Sequence, residues 1–340
     1  MSDPTLAILI IWLFVFVYSI LGSIDFGAGF WSMVFATAKG GSAADIANRY
    51  LSPTWKVTNV FLVLLVVALV GFFPFAMPAL SSMLVVPVCL VLLLLALRST
   101  FMVYAQMSPR YVPLLRVVSG VTGLLIPGLL LTVLPVTLGG FVELRDGHLV
   151  VKTAELLTSG TLYAHLAFGI ASELLLSAVF LADYAREAED LGAYRIYRRI
   201  AITIGPLTLL TGMLAAVAMH PEAQWIVDRM AERWIWFALS AASFVAGFSA
   251  LYWRGRGGWT GVPRAAVVLI IVQYAFASYG YGSAHLPYLV YPHLTVEQGF
   301  TNHAMFVSLL AGYGVSTLVL VPVFIWFWLL FLKDKRYLKP

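Results

Sequence analysis

The run Tyr18-Ser-Ile-Leu-Gly-Ser-Ile-Asp-Phe-Gly-Ala-Gly-Phe-Trp31 carries one carboxylate, Asp25, and no other charged residue lies between Asp3 and Lys39. An apolar segment of that length, interrupted by a single charge, reads as a membrane helix. On a helix Tyr18, Gly22, Asp25 and Gly29 fall on one stripe, so the carboxylate shares its face with two residues small enough for a close neighbour. Asp25 is therefore expected to face protein rather than lipid. A carboxylate deep in a bilayer costs roughly 2.5–3.5 kcal/mol on insertion scales, and such residues usually mark ion or proton paths. Two readings follow for Asp25: a hydrogen-bonded packing residue, or a protonatable station.

The rest of the composition agrees with a membrane setting. The chain of 340 residues is 61 % hydrophobic and 11 % charged, against a charged fraction of about 25 % in soluble domains. With a mean hydropathy of +0.92 it is read as an integral membrane protein crossing the bilayer several times. A sequence pI near 9.3 would be compatible with nucleic acid, but the placement of the basic residues points to membrane topology instead. The single cysteine, Cys89, lies in an apolar run and supports neither a disulfide framework nor a thiolate metal site. The first apolar run lacks a basic leader and a cleavage-site pattern, so it is expected to be a retained helix.

Nine apolar segments are long enough to span about 30 Å of hydrocarbon: Leu6–Phe35, Lys56–Met77, Met83–Met107, Leu114–Leu138, Leu162–Tyr184, Ile200–Met219, Trp234–Tyr252, Val262–Gly280 and His303–Phe331. A short polar break at Ser81-Ser82 predicts an antiparallel hairpin of the second and third. The connections after segments one, three, five and seven, with the C-terminal tail, hold 17 of the 21 Lys and Arg residues. Only Arg145, Lys152, Arg229 and Arg233 lie on the other side. The positive-inside tendency then puts the N-terminus outside and the C-terminus inside, with Asp25 in the inner half of its helix.

Two further charges fall within spans. Arg98, near the inner end of the third segment, is read either as a partner for Asp25 or as a side chain that snorkels to the headgroups. Glu173, midway through the fifth, is read either as a packing residue or as a second participant in proton transfer. Among the outer connections, Val142–Lys152 has the pattern of a short hairpin around Asp146-Gly147. Tyr281–Asn302, with Pro287, Pro292, Tyr288 and Tyr291 but no Lys or Arg, is expected to cover the bundle mouth or anchor in headgroups. Trp326, Trp328 and Phe331 are expected to form an inner aromatic belt.

The histidines argue against haem held by this chain. His148, His220, His285 and His293 lie in or at the edge of outer loops, and His165 and His303 begin helices with no second histidine on the same helix. A bis-histidine stack is not expected, although His with Met213 or Met305 remains open. No Walker-type glycine loop, His-Glu-x-x-His, paired cysteines or clustered carboxylates occur, so neither nucleotide chemistry nor a metal site is expected. So few ionisable groups favour a supporting or transport role.

The order of these landmarks resembles subunit II of the cytochrome bd quinol oxidases. Gly22-Ser-Ile-Asp-Phe-Gly-Ala-Gly29 is similar to that family's Asp-Gly-Phe-Asp-hydrophobic-Gly-Val-Gly element, retaining Asp25, Gly27 and Gly29 but having Gly22 and Ser23 at the first Asp-Gly. Pro53-Thr-Trp-Lys-Val-Thr58 resembles its Pro-x-Trp-Asp-Gly-Asn element, with Pro53 and Trp55 kept and Lys56 in place of the acid. Arg98 matches the family's Arg after the third apolar run, while the acid that usually follows is replaced near Tyr104. Leu286–Pro292 and Leu320–Trp328 resemble its outer loop and last helix.

The resemblance implies an all-α integral membrane protein of nine transmembrane helices, arranged as two four-helix bundles and one extra helix. Residues 1–138 would form the first bundle, 139–161 an outer loop, 162–280 the second bundle, 281–302 another outer loop, and 303–340 the ninth helix with a basic cytoplasmic tail. It implies a pseudo-symmetric heterodimer with a subunit I that holds haems b and d and oxidises quinol while reducing dioxygen to water. The chain itself would bind no cofactor or metal and would stabilise subunit I. A small single-helix subunit and membrane lipids would be further partners, with no nucleic acid, in a prokaryotic plasma (inner) membrane. Asp25 would serve a cytoplasm-facing proton route, which the loss of the acid at Lys56 deprives of its second carboxylate. Two other classes remain: a secondary transporter with Asp25 and Glu173 coupling ions, and a structural lipid- or quinone-binding anchor.

Overall fold

The computed structural model describes residues 2–36, 41–107, 109–255 and 259–329, and the side chains of these except at 52–56, 105–107, 109, 327 and 328. The elements run α1 (Asp3–Val34), α2 (Gly41–Phe72), α3 (Met77–Met107), α4 (Val112–Leu131), α5 (Val133–Thr137), β1 (Val142–Arg145), β2 (His148–Val151) and α6 (Thr153–Thr158). They continue with α7 (Gly160–Glu187), α8 (Leu191–Ala218), α9 (Gln224–Glu232), α10 (Trp234–Ala250), α11 (Pro263–His285), β3 (Tyr288–Val290), β4 (Leu294–Thr295), α12 (Val296–Gly299) and α13 (His303–Trp328). Helix starts follow from local chemistry. Ser159, Asp190 and Asn302 accept from the backbone N–H of Leu162, Ala193 and Met305, which satisfies an otherwise orphaned donor at the first turns of α7, α8 and α13.

Among the described residues seven helices are long and apolar enough to cross a membrane, and the protein is a multi-pass membrane protein. Two shorter apolar helices, Val57–Phe72 within α2 and α10 itself, fall at the remaining two of the nine expected segments. In hydrocarbon the backbone must satisfy its own hydrogen bonds, which is why the spans are helical. The two short strand pairs lie in the connections between them.

α1 is the hub. It packs along α2, α4 and α7, while α3 lies on α4, α8 on α7, α10 on α11 and α13 on α2. The largest buried cluster joins Ile20, Ile24, Ala28 and Trp31 of α1 to Leu175, Val179 and Ala182 of α7 and to Tyr194 and Tyr197 of α8. Lipid tails are as apolar as these side chains, so close shape fit rather than burial from water must hold such helices together.

The break between the second and third segments is not at Ser81-Ser82. Both serines lie inside α3, and the chain turns at Phe73, ahead of a single 3-10 turn at Pro74–Ala76. Pro74 lacks the N–H needed to continue α2 and disfavours a helical Phe73, which adopts φ −125° and ψ 52°. Ser82 has another task, donating its Oγ–H to the carbonyls of Ala79 and Leu149 (2.9 and 3.0 Å). The backbone of α2 runs close to α1 rather than α3, so the expected hairpin is looser than the sequence implied.

The other connections are structured. β1 and β2 pair antiparallel with Arg145 opposite His148, and Asp146 and Gly147 both have positive φ (50° and 79°), as a two-residue turn of that twist requires. In the 281–302 segment Tyr291 stacks on Trp225 of α9 at 4.1 Å and Arg229 donates to the Leu286 carbonyl at 2.6 Å. The tyrosines there are engaged by protein, Tyr288 lying edge-on to both Trp225 and Tyr291. Trp326 is exposed, as an aromatic belt requires, whereas the Trp328 side chain and Phe331 lie outside the described residues.

Candidate proton-transfer site

Asp25 is 2 % exposed and faces protein. Its partner is Arg98 of α3, itself 3 % exposed. Arg98 Nη2 donates to Asp25 Oδ2 at 3.1 Å and to the Asp25 main-chain carbonyl at 3.0 Å, and Nη1 donates to the Ser119 carbonyl of α4 at 3.2 Å. The guanidinium also stands 4.9 Å from the Phe26 ring centroid. One cation thus ties three helices. Of the two readings of Arg98, pairing is realised and snorkelling is not. α3 continues to Met107, nine positions beyond Arg98 and about 13 Å along a helix of 1.5 Å rise, farther than the side chain reaches.

Glycines let the helices approach this closely. A Cβ on Gly29 would sit 2.8 Å from the Ser119 carbonyl oxygen, and one on Gly123 of α4 would sit 2.5 Å from the Phe26 carbonyl oxygen. α1 and α4 therefore meet backbone to backbone beside the ion pair. Gly27, one face round, admits α7: a Cβ there would overlap Ser177. Gly22 differs from expectation, because the space beside it is filled by Phe26 and Tyr18 of its own helix rather than by a neighbour.

Glu173 enters from α7 and is 0 % exposed. Neither carboxylate oxygen has a hydrogen-bond partner among the described residues, and the Arg98 charge acts on it. Its backbone is held by a relay across the α1–α7 contact, in which Trp31 Nε1 donates to Ser177 Oγ (2.9 Å) and Ser177 donates to the Glu173 carbonyl (2.7 Å). Tyr18 is buried in the field of Asp25 and Arg98, its hydroxyl likewise without a hydrogen-bond partner among the described residues. Among the described residues the site brings together one cation, two carboxyl groups and a phenol where α1, α3, α4 and α7 converge.

Sequence reading brought Asp25, Arg98 and Glu173 forward separately, and the structure brings them together. It missed Ser119, Gly123, Trp31 and Ser177. The spacing Ser119-Gly-Val-Thr-Gly123, small residues four apart in an apolar run, is the signal that would have marked α4 as the close neighbour. Pro53, Trp55 and Lys56 lie on α2, and their side chains are outside the described residues.

The histidines make other contacts. His165 Nδ1 bonds the Thr161 carbonyl (2.7 Å), His303 pairs with Asp3 (2.6 Å) and His285 packs against Trp225 and Tyr281. Met213 and Met305 are exposed. Among the described residues no group of three or more His, Cys, Asp or Glu is placed to hold a metal ion.

Comparison with known proteins extends the likeness across the chain. The family described as cytochrome bd terminal oxidase subunit II matches residues 3–331. The putative cytochrome bd menaquinol oxidase subunit II of Bacillus subtilis (strain 168) is 45 % identical over 340 residues, covering 99 % of this chain and 98 % of the relative. A chain of the bd oxidase from Geobacillus thermodenitrificans superposes with a TM-score of 0.84 at 34 % identity, covering 98 % of this chain and 100 % of that one. The chain therefore belongs to the cytochrome bd terminal oxidase subunit II family and is a subunit of a quinol oxidase complex.

Proposed function

We propose that this subunit supplies a proton route through Asp25 to the oxygen-reducing site of its complex and stabilises the subunit I beside it. The observation that carries the reading is the buried Asp25–Arg98 pair at a glycine-lined helix junction. A buried ion pair contributes little net stability compared with apolar packing, so its retention in a membrane interior fits a transfer role better than a purely structural one. The sequence puts 17 of 21 basic residues in the connections of one side, and a topology of nine spans with the N-terminus outside and the C-terminus inside would bring this junction within reach of the cytoplasmic side.

In this reading the haems b and d belong to subunit I, as the family resemblance implies. The chain would divide into two four-helix bundles, 1–138 and 162–280, with a ninth helix following, and would pair with subunit I as a pseudo-symmetric heterodimer. A small single-helix subunit and lipids would complete the assembly in a prokaryotic plasma membrane. The relative from Bacillus subtilis is named for menaquinol, and a menaquinol substrate for the present complex follows by extension.

Asp25→Asn tests the route. Asparagine keeps the size and an acceptor for Arg98, which also retains the carbonyls of Asp25 and Ser119 and still has the Glu173 carboxyl group within the reach of its charge, so the complex should assemble with full haem content. Loss of the titrating group should slow quinol-driven oxygen consumption by about tenfold or more, within the range that one proton-transfer group contributes. Wild-type turnover in the assembled variant would refute the route.

A further inference from the structure

Arg98 has two carboxyl groups within its influence but spends its donors on one of them, and that asymmetry carries a consequence for Glu173. The guanidinium bonds Asp25 twice and Ser119 once, leaving Glu173 fully buried with both oxygens unpartnered among the described residues. In such surroundings an ionised carboxylate with no hydrogen bond is strongly disfavoured against the neutral acid, which makes the neutral acid the resting form. Among the described residues few other ionisable groups belong to this junction. α1 contributes Asp25 and Tyr18, α3 contributes Arg98, and α11 contributes Tyr274 beside Ser172. The buried polar side chains of α4 and α8 are Ser119, Thr122, Thr208 and Thr211 among the described residues, none of which titrates in the physiological range.

We propose that Glu173 and Asp25 are two carboxyl groups sharing one cation and one proton, with Glu173 the resident acid that stores the proton in transit. In the resting arrangement the proton is on Glu173 and the negative charge on Asp25. On transfer the Glu173 O–H bond breaks, an Asp25 O–H bond forms, and the negative charge passes to Glu173, still balanced by Arg98. The net charge of the cluster stays at zero throughout, so the exchange avoids placing an uncompensated charge in the membrane interior. Here Glu173 takes the part of the second carboxylate that Lys56 removes from the sequence motif. The inference rests on the Asp25 route and adds a partner to it.

The test is infrared difference spectroscopy on the purified complex, with turnover measured in parallel. The wild type should show a protonated-carboxyl band that shifts with isotope-labelled glutamate, is weakened or lost in Asp25→Asn as Glu173 takes over the charge that balances Arg98, and is absent from Glu173→Gln. Glu173→Gln should also consume oxygen about tenfold more slowly with haem content intact. The labelling measurement needs no variant, so it decides the matter even if Glu173→Gln does not assemble. Absence of a glutamate-sensitive band from the wild type, its survival in Glu173→Gln, or normal turnover of Glu173→Gln would each overturn the store. Slow Asp25→Asn with normal Glu173→Gln leaves the Asp25 route standing and removes Glu173 from it, whereas normal Asp25→Asn removes the route itself and the store with it.

Discussion

Arg98→Met is expected to abolish accumulation of the intact complex, read as loss of haem absorbance co-purifying with this chain. Three donations vanish at once: two to Asp25 and one to the Ser119 carbonyl. The larger loss is electrostatic. Removing one member of a buried pair typically costs about 3–5 kcal/mol, a large fraction of the roughly 5–15 kcal/mol that keeps a domain folded. Methionine fills much of the volume and is at ease among apolar helices, so lost packing is a minor part of the effect. Combining Arg98→Met with Asp25→Asn removes both charges and should restore much of the assembly, while turnover stays low because no acid remains at position 25. If the single variant assembled normally, the ion pair would have no structural weight. If the double variant failed as badly as the single one, the Ser119 and Asp25 carbonyls, rather than the charge, would be what Arg98 serves.

That pair also shows how far a sequence can be read here. Asp25 was legible because insertion into lipid penalises a carboxylate heavily, so one acid in an apolar run stands out against everything around it. Among the described residues seven helices long and apolar enough to cross a membrane were legible for the same reason. Partnership with Arg98 was not, since an arginine in the inner part of a helix has two physically sound solutions and only the depth and neighbours of α3 choose between them. Proline overruled the polar pair at Ser81-Ser82: serine hydroxyls can bond their own helix and so need not end it, as Ser82 does with Ala79, whereas Pro74 cannot donate. Glu173 was seen as a lone acid, but its lack of hydrogen-bond partners among the described residues is a property of the helices packed around α7. No periodicity within α7 encodes that. The glycines were half legible: Gly29 takes a neighbouring backbone as the stripe implied, while Gly22 is covered by Phe26 four residues on, a local contact that a face diagram ignores.

The second large effect is expected at Gly123. At most glycines a new side chain can be met by a flexible neighbour that moves; Gly128, for instance, has only the end of Leu166 within reach, at 3.3 Å. Gly123 instead faces the main-chain carbonyl of Phe26 at 2.5 Å, and across the same crossing Gly29 faces the Ser119 carbonyl at 2.8 Å. A backbone cannot rotate out of the way, so α1 and α4 must separate. Overpacking of a tight contact costs about 1–3 kcal/mol as a rule, and Gly123→Leu belongs at or above the upper end because neither side can yield. The consequence reaches the chemistry directly. Arg98 is anchored to the Asp25 carbonyl on α1 and the Ser119 carbonyl on α4, so parting these helices pulls its anchors away from each other. Gly123→Leu should therefore lower both the yield of complex and the turnover of what assembles. Gly128→Ala should be mild in both measurements, and Gly160→Ala, with nothing within 4 Å of the added carbon, should be silent. Equal behaviour of Gly123→Leu and Gly160→Ala would mean that the close approach of α1 and α4 is not what seats the guanidinium. A graded series from Gly160→Ala through Gly128→Ala to Gly123→Leu would tie proton delivery to the distance between two helix backbones.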